Sequence, residues 1–145
     1  MAAEKIENIN AGASSFVAQN FVYGDSYHHC LVAIVVPDPD FAAVWAKKNG
    51  ASGDVKALCA SDKFRAEVLA DLRKVGKANG LHGFEIVKAV HLEPELWTAE
   101  NGVLTPTFKL KRNVAKKKYQ AQIDDMYESI GASVGGVKGL RQGAE

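Results

Sequence analysis

The stretch Cys30-Leu31-Val32-Ala33-Ile34-Val35-Val36-Pro37 holds eight consecutive residues without a polar side chain other than a thiol. A short continuous apolar run bounded by turn residues is the pattern of a strand covered on both faces. It is far too short to cross a bilayer. Gly24-Asp25-Ser26 precedes it and Pro37-Asp38-Pro39-Asp40 follows it. The run therefore predicts a central strand, and the rest of the chain must supply material to cover it.

The candidates for that material are legible in order. Residues 4–9 read as a short helix, and Phe16 to Tyr23 as a strand rich in Val, Phe and Tyr. A helix is predicted over 41–48, capped at its start by the Pro-Asp pair and stopped by Asn49-Gly50. The stretch 54–78 predicts two helices, the first capped by Asp54 and the second by Ser61 or Asp62. Phe64, Val68, Leu72 and Val75 share one face of the second. Ile86 to Leu92 reads as a third strand, ended by Glu93-Pro94-Glu95. Arms at 103–104 and 108–110 predict a small hairpin around Thr105-Pro106-Thr107. A last helix is predicted over 113–130, with Asn113 as its cap and Tyr119, Ile123, Met126, Tyr127 and Ile130 on one face. Strands and helices alternate without repeated βαβ units. The fold class expected is α+β, with helices on a small mixed three-stranded sheet. A chain of 145 residues makes one such domain. Residues 1–130 form it, and the Gly-rich tail 131–145 is expected to be mobile.

Charge is the next constraint. The chain carries 18 Lys and Arg against 17 Asp and Glu, a net +1. Six cations, Lys109, Lys111, Arg112, Lys116, Lys117 and Lys118, fall within ten residues that contain no acid. The remainder therefore sums to −5. With Asn113 as cap, Lys116 to Lys118 would occupy the first turns of a helix, where the dipole opposes cations. On this reading local stability does not account for the cluster, and a bound anion would. A solvated face or a nucleic-acid patch is the plainer interpretation of such a run. A nucleic-acid module, however, should interleave aromatics with cations on a strand face, and the −5 remainder would repel a polyanion.

The order of residues is more specific than their charge. Glu100-Asn101-Gly102-Val103-Leu104-Thr105-Pro106-Thr107-Phe108-Lys109-Leu110-Lys111-Arg112 resembles the C-terminal lysine motif of AMP-forming acyl-CoA synthetases, specifically the long-chain fatty acyl-CoA ligases. Within its Asn-to-Arg core only Val103 departs from the family's Asn-Gly-Leu-Leu-Thr-Pro-Thr-Phe-Lys-Leu-Lys-Arg pattern. Glu4-Lys5-Ile6-Glu7-Asn8 is similar to the segment that opens the family's C-terminal domain. Val22-Tyr23-Gly24-Asp25 with Leu31 to Asp38 resembles its first strand pair. Gly83-Phe84-Glu85 with Val87 to Leu92 resembles the approach to the lysine hairpin. The likeness runs from about residue 3 to residue 130.

The resemblance implies a C-terminal lid domain whose N-terminal adenylating domain is absent from this chain. It implies that Lys109 is the catalytic lysine of acyl-adenylate formation. Lys111 and Arg112 are expected to anchor the loop or to contact acidic surface, with phosphate contact as their further candidate role. Lys116 and Lys117, with Lys118, either face solvent or meet the phosphates of CoA. ATP, Mg2+, fatty acid and CoA are implied for the whole enzyme, with no cofactor held by this chain. The lid is expected to swing after adenylation and complete the thioester-forming site. The chain alone is expected to be inactive. The implied partner is the adenylating domain, with no nucleic acid and with membrane association only through the full-length enzyme.

Other signals carry less. Cys30 and Cys59 read as thiols of a reducing, cytoplasmic compartment, and Glu4, Lys5 and Glu7 interrupt any signal peptide. His28-His29-Cys30 cannot converge on one metal along a strand, and Cys59, His82 and His91 have no recognised ligand spacing. Residues 131–138 lack the Gly-Lys-Ser/Thr and preceding strand of a phosphate loop. Trp45 and Trp97 read as core or interface residues, with Trp97 a candidate to meet the partner domain. Glu85 reads as structural or as a hairpin contact.

Overall fold

A computed structural model of the chain describes residues 3–24, 30–51 and 54–133. Its order is α1 (Ala3–Ala13), β1 (Val17–Tyr23), β2 (Val32–Pro37), α2 (Pro39–Lys48), α3 (Val55–Cys59) and α4 (Asp62–Ala78). A 3-10 turn (Gly83–Glu85), β3 (Ala89–Leu92), α5 (Arg112–Lys118) and α6 (Gln120–Ser133) follow. The α+β class expected from the sequence holds.

The apolar run is the middle strand of a mixed sheet ordered β1-β2-β3. β1 pairs antiparallel to β2, from Val17 opposite Pro37 to Tyr23 opposite Val32, with an irregularity between Val17 and Gln19. β3 pairs parallel, from Val32 opposite Ala89 to Val35 opposite Leu92. Side chains alternate across a strand, so β2 feeds two separate cores. Ala33 and Val35 pack with Ile6 of α1, Trp45 of α2, Leu58 of α3 and Phe64, Val68 and Leu72 of α4. Val32, Ile34 and Val36 pack with Trp97, Val103, Ala115 and the α6 residues Ile123 and Met126. That is why β2 is apolar throughout, and why both faces of the sheet are closed.

Local chemistry sets the helix starts. Asp38 accepts from the N–H of Asp40 and Phe41 at 2.9 and 3.1 Å, with Pro39 in the first helical turn. Asp54 accepts from Lys56 N–H at 3.2 Å. Of the two candidates for α4, Ser61 is the cap, accepting from Phe64 N–H at 3.2 Å. Glu85 reaches back to His82 N–H at 2.9 Å, so its role is to close the 3-10 turn.

Three expectations need correction. The first helix is longer than 4–9, because Glu7 and Asn10 find buried partners within the domain and do not break it. The single helix predicted over 113–130 is two. α5 ends at Lys118 and α6 begins at Gln120, with Tyr119 between them at φ −109°, ψ 18°. The cap of α5 is Lys111 and not Asn113. Ala115 N–H already donates to Lys111 O at 2.9 Å, so the first turn starts two residues early. Lys116, Lys117 and Lys118 consequently lie in the last turn of α5, where the helix dipole favours cations. Their clustering is thus locally stabilising, and the inference of an anion from helix-start repulsion does not stand.

Candidate functional site

The Lys109 segment is built on two successive turns. In the first, Asn101 ties four backbone groups together. Its side-chain oxygen accepts from Thr98 N–H at 3.0 Å and Val103 N–H at 3.4 Å. Its amide donates to Leu96 O at 3.0 Å, and its own N–H donates to Thr98 Oγ1 at 3.0 Å. Gly102 follows at φ +85°, a left-handed conformation suited to glycine.

The second turn is the hairpin itself. Leu104 and Leu110 form an antiparallel bridge, and Lys111 N–H donates to Val103 O at 2.8 Å. Thr105 N–H donates to Lys109 O at 2.7 Å, and Phe108 N–H to Thr105 O at 2.8 Å. Thr105 Oγ1 accepts from Lys109 N–H at 3.0 Å. Pro106, Thr107 and Phe108 are thus a three-residue loop with Phe108 left-handed at φ +66°. The Lys109 side chain stands exposed beside this tip and has no ion-pair partner among the described residues.

The base of the hairpin is clamped to the body. Arg112 Nη1 donates to Glu7 Oε2 at 3.0 Å, and Nη2 donates to Glu7 Oε1. Glu7 Oε2 also accepts from Val22 N–H at 2.7 Å, which ties the same carboxylate to β1. Glu7 is 8% exposed and the Arg112 side chain 42%. The guanidinium carbon lies 5.9 Å from the Phe21 ring centroid. Beside the buried Glu7, Asn10 donates to Asn20 at 3.2 Å, and Asn20 donates to Glu7 O at 3.1 Å. Sequence reasoning missed Glu7 as the anchor, because 105 residues separate it from Arg112 and no local pattern links them.

Trp97, near the base of the hairpin, is 4% exposed and belongs to the chain's own core, not to a surface for a partner domain. Its indole N–H donates to Tyr119 Oη at 2.8 Å, and that hydroxyl donates to Glu93 at 2.6 Å. Burial, then the bond to Glu93, holds the Tyr119 phenol well above its ordinary range. Lys109, Phe108 and Arg112 border a groove of about 510 Å³ whose other wall includes Glu4 and Glu7 of α1.

The remaining predicted cations do not converge on Lys109 in one site. Lys111 is half-buried at the start of α5. Lys116 Nζ lies 5.6 Å from the Tyr23 ring centroid, and Lys118 Nζ lies 5.7 Å from that of Tyr119. Lys117 is exposed. Among the described residues, no group of three or more His, Cys, Asp or Glu could hold a metal ion. His28 and His29, and most of 131–138, lie outside the described residues. No helix among the described residues is long and apolar enough to cross a membrane. Burial raises the Cys30 thiol's pKa, and burial with the nearby Glu93 and Asp54 carboxylates pushes Cys59 up to about 11.

The same α+β fold, a small mixed sheet packed with helices, also occurs in solved adenylation domains. The chain superposes on the adenylation domain of a carboxylate reductase from Mycobacterium chelonae with TM-score 0.74 and 28% identity, covering 88% of this chain and 18% of that one. It superposes equally well, at 26% identity over 90% of this chain and 18% of that one, on the A domain of a carboxylic acid reductase from Segniliparus rugosus. That structure holds AMP and a co-purified carboxylic acid. Fold and sequence together set the chain among the adenylate-forming proteins.

Its curated relatives among them are long-chain acyl-CoA synthetases, each matched over a small part of its length. It is 48% identical over 134 residues to long chain acyl-CoA synthetase 6, peroxisomal, of Arabidopsis thaliana, a match over 92% of this chain. It is 45% identical over 130 residues to human long-chain-fatty-acid–CoA ligase 1, a match over 90% of this chain. The chain spans only 19% and 18% of those two proteins. No protein-family model matches it.

Proposed function

We propose that this chain is the C-terminal lid of an AMP-forming long-chain fatty acid–CoA ligase, and that Lys109 is its catalytic lysine. The whole enzyme would join ATP, a fatty acid and CoA to give acyl-CoA, AMP and pyrophosphate. The observation that carries the reading is the Lys109 ammonium, exposed and with no ion-pair partner among the described residues, beside the tip of a hairpin whose base is fixed to the body. In adenylation a carboxylate attacks the α-phosphorus of ATP and pyrophosphate leaves. Negative charge spreads over the phosphoryl oxygens as the two anions meet. A compact cation held where that charge develops stabilises the transition state more than the ground state. A hairpin can place such a charge in a cleft of another domain and withdraw it. The partner is then the enzyme's own adenylating domain, which would also bind ATP and the fatty acid.

Lys111, Lys116 and Lys117 are the candidates to meet phosphates of CoA when the lid turns to its second stance. Arg112 is committed to Glu7 and serves the hairpin's position. Mg2+, implied as the counter-ion of ATP, finds no ligand cluster among the described residues and is not assigned to them. The two free thiols favour a cytoplasmic, reducing compartment. A nucleic-acid module is the second reading. It is disfavoured because both faces of the sheet are covered and leave no strand face on which bases could stack.

The test is a chimera in which residues 3–133 replace the matching segment of the Arabidopsis relative. The relative without that segment and the 145-residue chain alone should each form no acyl-CoA, and the chimera should form it. Acyl-CoA synthesis by the chain alone, or salt-dependent binding of it to single-stranded oligonucleotides, would contradict the reading.

A further inference from the structure

The residue before Lys109 breaks the rule of its own turn. In a three-residue hairpin loop the last position is left-handed, and glycine normally takes it because a Cβ is strained there. Here Phe108 takes it, at φ +66°. It is the one non-glycine residue with positive φ among the described residues. The ring gains little in exchange, since Phe108 is 77% exposed, the most open large apolar side chain among those described. The backbone strain opposes folding, and the open ring returns almost no burial to offset it. The hydrogen bonds from Phe108 N–H, Lys109 N–H and Thr105 N–H do not involve the ring, so glycine could make the same turn. A residue that costs the isolated fold and is not needed by its turn points to a contact made elsewhere.

We infer that Phe108 is a positioning residue: its ring inserts into an apolar recess of the adenylating domain when the lid closes for adenylation, and this sets the depth and direction of Lys109. The inference rests on the lid reading above. The occupant follows from adjacency, because Phe108 and Lys109 share one rigid tip and whatever surface receives the ammonium must also receive the ring. Lysine has a flexible stem, so a neighbouring aromatic anchor would supply the orientation that the stem lacks. A misplacement of about 1 Å at such a site can cost about 10²-fold in rate.

The experiment uses Phe108→Gly, Phe108→Leu and Lys109→Ala, each in the chimera and in the 145-residue chain. Phe108→Gly should leave the melting temperature of the chain unchanged or higher. In the chimera it should lower the kcat of fatty-acid-dependent pyrophosphate release by about 10²-fold and leave conversion of supplied acyl-adenylate to acyl-CoA intact. Phe108→Leu, still apolar, should recover most of the first half-reaction. A fall in the chain's melting temperature with Phe108→Gly would make Phe108 a folding residue and overturn the inference, whatever the chimera does. Adenylation kept in Phe108→Gly but lost in Lys109→Ala would overturn the inference and leave the lid reading standing. Adenylation kept in Lys109→Ala would bring down both.

Discussion

Replacing Arg112 with methionine removes the fork that ties the lysine hairpin to α1, and the structure lets the cost be sized. Glu7 is 8% exposed and, among the described residues, would retain only Val22 N–H as a hydrogen-bond donor to its carboxylate. Removing one partner of a buried ion pair costs about 3–5 kcal/mol. The Arg112 side chain is 42% exposed, however, so solvent already screens part of the interaction. About 2 kcal/mol is the resulting expectation. At roughly 3 °C per kcal/mol for a domain of this size, the melting temperature should fall by about 6 °C. Circular dichroism melts and urea unfolding of the 145-residue chain would measure it. Glu7→Gln keeps an acceptor for Val22 N–H while removing the charge, so it closes a double-mutant cycle with Arg112→Met. The coupling energy should be about 1 kcal/mol or more. A value below about 0.3 kcal/mol, within ordinary additivity, would show that the fork does not hold the hairpin.

Two further stability predictions follow. Tyr119→Phe leaves the buried Trp97 N–H without an acceptor and removes the Tyr119 donor from Glu93 Oε1, with Glu93 Oε2 still accepting from Glu95 N–H, and should cost about 1–3 kcal/mol in urea unfolding. Cys59, ordinarily near 9.0 and pushed to about 11 by burial, should make the chain sensitive to alkali. Its folded value lies above its unfolded value, so its contribution is complete below pH 9 and is lost as pH rises through about 11. Discounted for its half-exposed position, the loss is about 1 kcal/mol. The urea midpoint should drop across that window, and Cys59→Ala should flatten the part of the slope that Tyr119, raised in the same sense, does not supply.

What could be read from the sequence depended on how local its cause was. β2 was legible because burial on both faces leaves all six of its residues apolar, within a run of eight. α4 was legible from the spacing of Phe64, Val68 and Leu72, and the hairpin from Thr105-Pro106-Thr107, although its loop is shifted by one residue to Pro106-Thr107-Phe108 and takes Phe108 out of the expected arm. The break at Tyr119 was not, since Tyr119, Ile123 and Met126 keep helical spacing across it. Tyr119 is held in a tertiary network with Trp97 and Glu93 that no periodicity reports. The cap of α5 was misplaced for a related reason. The hairpin delivers Lys111 to its position through the bond to Val103 O, and Asn113 has no part in that. At the candidate site, Lys109 could be picked out through its motif. Its anchor Glu7 lies on the first helix, and the left-handed turn at Phe108 carries no glycine to announce it.

The most direct test of the account is Lys109→Ala in the chimera, assayed as two separate half-reactions. If Lys109 supplies the charge for adenylation, fatty-acid-dependent pyrophosphate release should fall by about 10²-fold or more, the loss typical of removing one charge-stabilising donor, while supplied acyl-adenylate is still converted to acyl-CoA. Pyrophosphate release at the parent rate would contradict the central claim, whatever happens to the second half-reaction.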